Sequence, residues 1–193
     1  MFVGHFGIAQ LGKGARREIP FALLLIAAYL PDLVRVPLAL TDNQEVLSHS
    51  IPIVLALGVL AGAFCLLRGG HFTAALIVAV ACWLHWPADV FTGCKPTTFN
   101  GPWLGFVNYR RPVNDLALEG ALLVGGWLWA RRRGFPIGKR WLVIGCAAQL
   151  LFLVSMYTDS EFIIGNREWT WRPKTSIVPK PQALEQTPCR TPD

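Results

Sequence analysis

The chain is expected to be all-α, a polytopic transmembrane helical bundle of about five spans with a short N-terminal re-entrant or interfacial helix. Three observations lead there. Hydrophobic residues make up 53% of the 193, mean hydropathy is +0.41, and only 16% of residues are charged, where a soluble domain carries roughly 25%. The same figures exclude a disordered chain, which needs low hydrophobicity and high net charge. A net charge of +6 with a pI near 9.4 raises nucleic acid as a partner. The basic residues, however, sit on no polar domain that could use them, so no nucleic acid is expected and basic loops flanking a membrane are. Five cysteines (Cys65, Cys82, Cys94, Cys146, Cys189) form no C-x-x-C pair, and three lie in apolar runs. A disulfide framework or a cysteine zinc site is therefore not expected.

The elements follow in order. Residues 1–15 are semi-apolar and too short to cross a hydrocarbon core of about 30 Å, which takes about 20 helical residues. Residues 20–40 are apolar through Leu30 and then carry Pro31, Asp32, Arg35 and Pro37, so a kink or break is expected there. Residues 51–67 and 141–157 are clean candidate spans. Residues 72–86 and 115–130 are slightly short and should extend into their flanks or occupy a thinner region. No basic n-region precedes an apolar core and a small-residue cleavage site, so no removable signal peptide is read. These segments make a membrane-embedded domain over 1–158. Residues 159–193 form an interfacial segment holding Trp169 and Trp171, then a proline-rich polar tail without a core. That tail is the place for a protein partner to dock. The other expected partners are membrane lipids.

Lys and Arg in short loops orient such a chain. With the first turn inside, nine of them (Lys13, Arg16, Arg17, Arg68, Arg131, Arg132, Arg133, Lys139, Arg140) face the cytoplasm, against three (Lys95, Arg110, Arg111) outside. The expected location is the bacterial inner membrane, multi-pass. Trp83, Trp86, Trp127, Trp129 and Trp141 fall at span ends, as an aromatic belt requires.

Against that background five polar residues stand out, because charged groups in spans are costly and mark function by default. Asp32, His49, His85, Asp89 and Glu119 all fall in the outer layer. Each has a simpler reading. Asp32 can pair with Arg35. Ser50 can cap the helix that Pro52 opens, leaving His49 interfacial. His85 and Asp89, four apart, share a helix face, although Pro87 between them bends it. His5 joins the layer if the chain makes a hairpin: a short helix over residues 3–14 raises it about 15 Å, to the level of Ala27 and Ala28. On the outer face of a surface helix it would be ordinary. His71 lies in the inner loop and is excluded. Three His and two Asp are donors that suit a divalent metal, zinc first, with manganese or iron as alternatives.

Gly4-His5, Pro31-Asp32, Ser48-His49-Ser50 and His85-x-x-x-Asp89, in that order, resemble the pattern of a bacterial family. These are the inner-membrane-associated, metal-dependent hydrolase-like proteins, also called LexA-binding hydrolases. The resemblance covers roughly residues 1–130. It is distantly similar to the first half of the zinc phospholipase C and nuclease group, which split phosphodiesters. It implies His5, Asp32, His49, His85 and Asp89 as metal ligands and does not extend to Glu119. The later His and second His-x-x-x-Glu pair of the phospholipases are absent, since no His follows His85.

The expected function is therefore a membrane-bound, metal-dependent hydrolase acting on a phosphoester or lipid-linked substrate. Glu119 or Asp89 would take the proton of water. Lys95, Arg110 and Arg111 share the outer loop; headgroup anchoring is their simpler role and phosphate binding the sharper one. The rival is a non-enzymatic membrane subunit or scaffold with a structural metal. A transporter fits less well, because five spans lack paired halves.

Overall fold

The computed structural model describes residues 3–38, 43–106, 112–135, 139, 142–147 and 150–151. Among them run helices α1 (Gly4–Ala15), α2 (Phe21–Leu38), α3 (Gln44–His49), α4 (Ile51–Leu67), α5 (Phe72–Trp83) and α6 (His85–Thr92). A short antiparallel ribbon of β1 (Lys95–Pro96) and β2 (Trp103–Leu104) follows, and then α7 (Pro112–Arg132). The all-α expectation holds, with this ribbon as the one addition among the described residues.

The first helix is the centre of the bundle. It buries Gly4, His5, Gly7, Ile8, Ala9, Gln10, Lys13 and Gly14, packing against α7 on one side and against α2 and α5 on the others. Glycine allows that approach. A Cβ at Gly7 would run into the Leu122 carbonyl, and one at Gly126 into the carbonyl of Gly7. The two helices lie side by side and parallel, Gly4 level with Glu119 and Gly14 level with Ala130. A helix N-terminus leaves its first amides unpaired. Here the carboxylate of Glu119, from α7, accepts the amides of Val3 and Gly4. At the other end the Lys13 ammonium donates to the carbonyls of Arg17 and Ile19, at 2.6 and 2.7 Å. The chain is thereby turned into α2, and α1–α2 is the hairpin that raises His5.

A second hairpin joins α4 to α5 through Gly69, whose φ of +83° only glycine adopts without strain. Gly58 leaves room for the indole of Trp83, which donates to the Leu55 carbonyl at 3.1 Å. Pro87 lacks the amide that a continuous helix would need, and a turn at Leu84 separates α5 from α6. Pro87 thus stands in the first turn of α6, where the missing donor costs little.

Small side chains (Ala9, Ala27, Ala28, Ala75, Ala81) fill the core beside Ile8, Leu24 and Val78, which brings the backbones close. The outward faces carry exposed Val36, Leu60, Leu67 and Phe72, while His5, His49, His85, Asp89, Asp115 and Glu119 are buried. Buried ionisable groups beside an apolar core thus accompany wide exposed apolar faces.

The five-span expectation is corrected. Among the described residues, one helical run, 72–92, is long and apolar enough to cross a membrane by length and composition. At 17 residues α4 reaches about 25 Å, short of a core of about 30 Å. The second half of α2 carries Asp32, Arg35 and two prolines, and α7 buries Asp115 and Glu119. Most of 141–157 lies outside the described residues, of which 142–147 are helical. Arg110, Arg111 and the tail 159–193 also lie outside them. The cysteine expectation is amended at one position: Cys94 is disulfide-bonded, whereas Cys65, Cys82 and Cys146 are free.

Candidate metal centre

Four residues from three elements converge at the end of the bundle where α1 starts. Asp32 comes from α2, His49 from the last residue of α3, and His85 and Asp89 from α6. One ligand atom from each of the four lies within 4.8 Å of all the others. The His49 Nε2 is 3.2 Å from Asp32 Oδ1 and 3.5 Å from Asp89 Oδ2. The His85 Nε2 is 3.4 Å from Asp89 Oδ2 and 3.8 Å from Asp32 Oδ1. The break before α6 leaves the i,i+4 pairing of His85 and Asp89 intact despite Pro87.

Each imidazole is oriented by its other nitrogen. The carbonyl of Ala28, in α2, accepts the Nδ1–H of His85 at 2.8 Å. The Ser48 hydroxyl donates to the Gln44 carbonyl and lies 2.6 Å from His49 Nδ1. With its proton on Gln44, the Ser48 hydroxyl is an acceptor for the Nδ1–H tautomer of His49. The Ala28 carbonyl thus fixes the proton of His85 on Nδ1, whereas the Nε2 of His49 lies within hydrogen-bond distance of Asp32 Oδ1. His85 then aims a bare Nε2 lone pair at two carboxylates. The His85 Nε2 is buried with no hydrogen-bond partner among the described residues. Lone pairs facing carboxylate oxygens repel unless a cation lies between them, and a second partner fixing the ligand tautomer is the usual arrangement around a metal-bound histidine. Two nitrogens and two oxygens fit a divalent ion.

His5 is brought beside this group without entering it. Its ring stacks on His85 with centroids 4.0 Å apart, and its Nε2 is 3.7 Å from Asp89 Oδ1. Fully buried, it has no hydrogen-bond partner at either nitrogen among the described residues. Asp89 thus turns one oxygen to His5 and the other to His49 and His85. Glu119 is placed elsewhere, on the amides that open α1.

Comparison of the chain with protein families, with curated proteins and with solved structures returned no match.

Around the four residues lies a ring of charge. Arg35 pairs with Glu45 at 2.8 Å rather than with Asp32. Glu45 also holds Lys95 at 3.0 Å and approaches His49 Nδ1 at 3.6 Å. Lys95 in turn lies 3.1 Å from Asp89 Oδ2. Burial alone would lower the Lys95 pKa; Asp89 and Glu45 outweigh it and hold the ammonium above the ordinary lysine value. Burial pushes His49 below the usual histidine range, against the raising effect of its bond to Asp32, which favours the neutral form a metal requires. Glu45 was not singled out from the sequence, although its i,i+4 spacing to His49 was the signal that could have found it.

Proposed function

We propose that the protein is a membrane-embedded, metal-dependent hydrolase, with Asp32, His49, His85 and Asp89 holding the ion and a phosphoester or lipid-linked compound as substrate. The observation that carries this reading is the pair of buried imidazoles that face two carboxylates with Nε2, His85 keeping its proton on Nδ1. A bound divalent ion supplies Lewis acidity toward a phosphoryl oxygen and makes water a nucleophile at neutral pH. Zinc is the first choice for two nitrogens and two oxygens, with manganese or iron next. The side chain of Asp32 is 37% exposed whereas those of His49 and His85 are fully buried. Water and substrate therefore reach the centre past Asp32. Asp89, nearest the three histidines, accepts the proton. His5, stacked on His85, keeps that ring in place.

Membrane embedding is supported by the exposed apolar faces of α2, α4 and α5, since soluble proteins rarely expose wide apolar faces. The ordered motifs at His5, Asp32, His49 and His85-x-x-x-Asp89 agree with the hydrolase-like family they resemble.

One observation favours a second reading. Four protein donors can close a tetrahedral shell, as structural zinc sites do, and the chain would then be a scaffold. Elemental analysis and a substrate panel separate the two. Protein purified in mild detergent should carry about one equivalent of transition metal, lost in both His85→Ala and Asp89→Ala. Unchanged metal content in both variants overturns the site. A loaded protein that cleaves no phosphoester or lipid leaves the structural metal and removes the hydrolase.

A further inference from the structure

We propose that Lys95 is the anion-recognition residue of this centre, presenting its ammonium to a phosphoryl oxygen of charge −1 when a divalent ion takes over Asp89. The inference rests on the hydrolase reading and names the charge of its substrate.

Position comes first. A lysine anchoring a membrane to headgroups would be solvated, yet the Lys95 side chain is only 11% exposed. Its backbone is held by the ribbon, where Lys95 pairs with Leu104. The next carbonyl, of Pro96, accepts the indole N–H of Trp86 at 3.1 Å, and that of Thr97 accepts the amide of Ile51 at 3.0 Å. The ribbon is thus fastened to α6 and to the first turn of α4, the elements beside His85 and His49. Lys95 cannot swing far from Asp89.

Charge comes second. Asp89 Oδ2 is shared by Lys95 at 3.1 Å and by the Nε2 atoms of His49 and His85 at 3.5 and 3.4 Å. Lys95 therefore stands where a cation is wanted and occupies the oxygen that an ion would claim. The linked ionic groups are three carboxylates (Asp32, Asp89, Glu45) and two cations (Lys95, Arg35), a surplus of one negative charge. A divalent ion turns that into a surplus of one positive charge. Lys95 then loses much of its hold on Asp89 and shares Glu45 with Arg35. A phosphodiester carries one negative charge and closes the balance; a neutral ester leaves it open. A charged donor beside a phosphoryl oxygen is among the stronger hydrogen bonds available to a site.

The test uses full-length, metal-loaded protein in mild detergent, with inorganic phosphate as the probe, and compares wild type, Lys95→Met, Lys95→Gln and Lys95→Arg. Elemental analysis on the same samples reports the metal. Lys95→Met and Lys95→Gln should keep their metal and bind phosphate about 10–100-fold more weakly, the weight of one charge-assisted hydrogen bond. Lys95→Arg should stay near wild type. Lys95→Gln keeps a donor for Asp89 and serves where Lys95→Met does not fold. A second arm measures binding to nanodiscs of phosphatidylglycerol against phosphatidylcholine: a charge-dependent preference lost in Lys95→Gln assigns the anion to a lipid headgroup, and loss in the phosphate arm alone assigns it to a soluble phosphate. Loaded variants that bind phosphate as wild type does overturn the inference and leave the hydrolase reading standing. Wild-type protein without metal overturns both.

Discussion

Replacing Glu119 with Gln tests whether this carboxylate is a proton acceptor or the anchor of the central helix. It is fully buried, and its Oε2 accepts the amides of Val3 and, at 3.1 Å, of Gly4. A carboxylate at a helix N-terminus contributes about 0.3–1 kcal/mol, and up to about 2 when buried, from the charge alone. A charge-assisted hydrogen bond exceeds a neutral one by about 1 kcal/mol. Gln keeps the shape and one acceptor while losing the charge, so the metal-free protein should lose about 2–3 kcal/mol of stability. Glu119→Ala leaves two buried amides unpaired and should cost more. The assay is denaturant unfolding in detergent, with metal content and turnover measured on the same preparations. For an anchor, Glu119→Gln lowers stability by that amount while turnover per bound metal falls less than about tenfold, since the group is not at the reacting atoms. A general base contributes ~10²–10⁴-fold. A turnover loss of that size with stability unchanged would refute the anchor and return Glu119 to catalysis.

Other outcomes follow from the same geometry. Ser48→Ala frees the Nδ1–H of His49 and should weaken metal binding about 10–100-fold, the usual cost of losing an outer-shell partner; equilibrium competition with a chromogenic chelator reads it, and unchanged affinity rules out the assigned tautomer. Gly7→Ala should destabilise by about 1–3 kcal/mol or more through overpacking against α7. Gly125→Ala, with nothing within 4 Å of the new Cβ, should be neutral or stabilising by up to about 1 kcal/mol; equal effects at both positions in thermal unfolding would contradict the close parallel contact of α1 with α7. After cell lysis the protein should stay in the membrane fraction through an alkaline carbonate wash, and its release would end the membrane-embedded reading.

Which parts of this molecule could be read from the chain follows from how far apart the interacting residues lie. Local chemistry was legible. The His85-x-x-x-Asp89 spacing is a property of one turn of helix and survives Pro87, because the chain breaks at Leu84 and starts a new helix. The lift of His5 followed from helical rise and the hairpin, and the ring now lies against His85, itself bonded to Ala28. Span count was not legible, because composition does not show where a helix stops. Partners across the fold were least legible: Glu119 and the amides of α1 are over a hundred residues apart, and Lys95 meets Glu45 across 50. The pairing of Arg35 illustrates the difference. Sequence proximity favours Asp32, three residues away, but Glu45 takes the guanidinium and leaves the Asp32 oxygen facing His49. Had Arg35 paired with Asp32, one of four ligands would already have been neutralised by a fixed cation, and the site would hold a metal less tightly. Glu45 thus keeps both flanking cations, Arg35 and Lys95, beside the cluster, and on the proposed reading this leaves Asp32 to an ion.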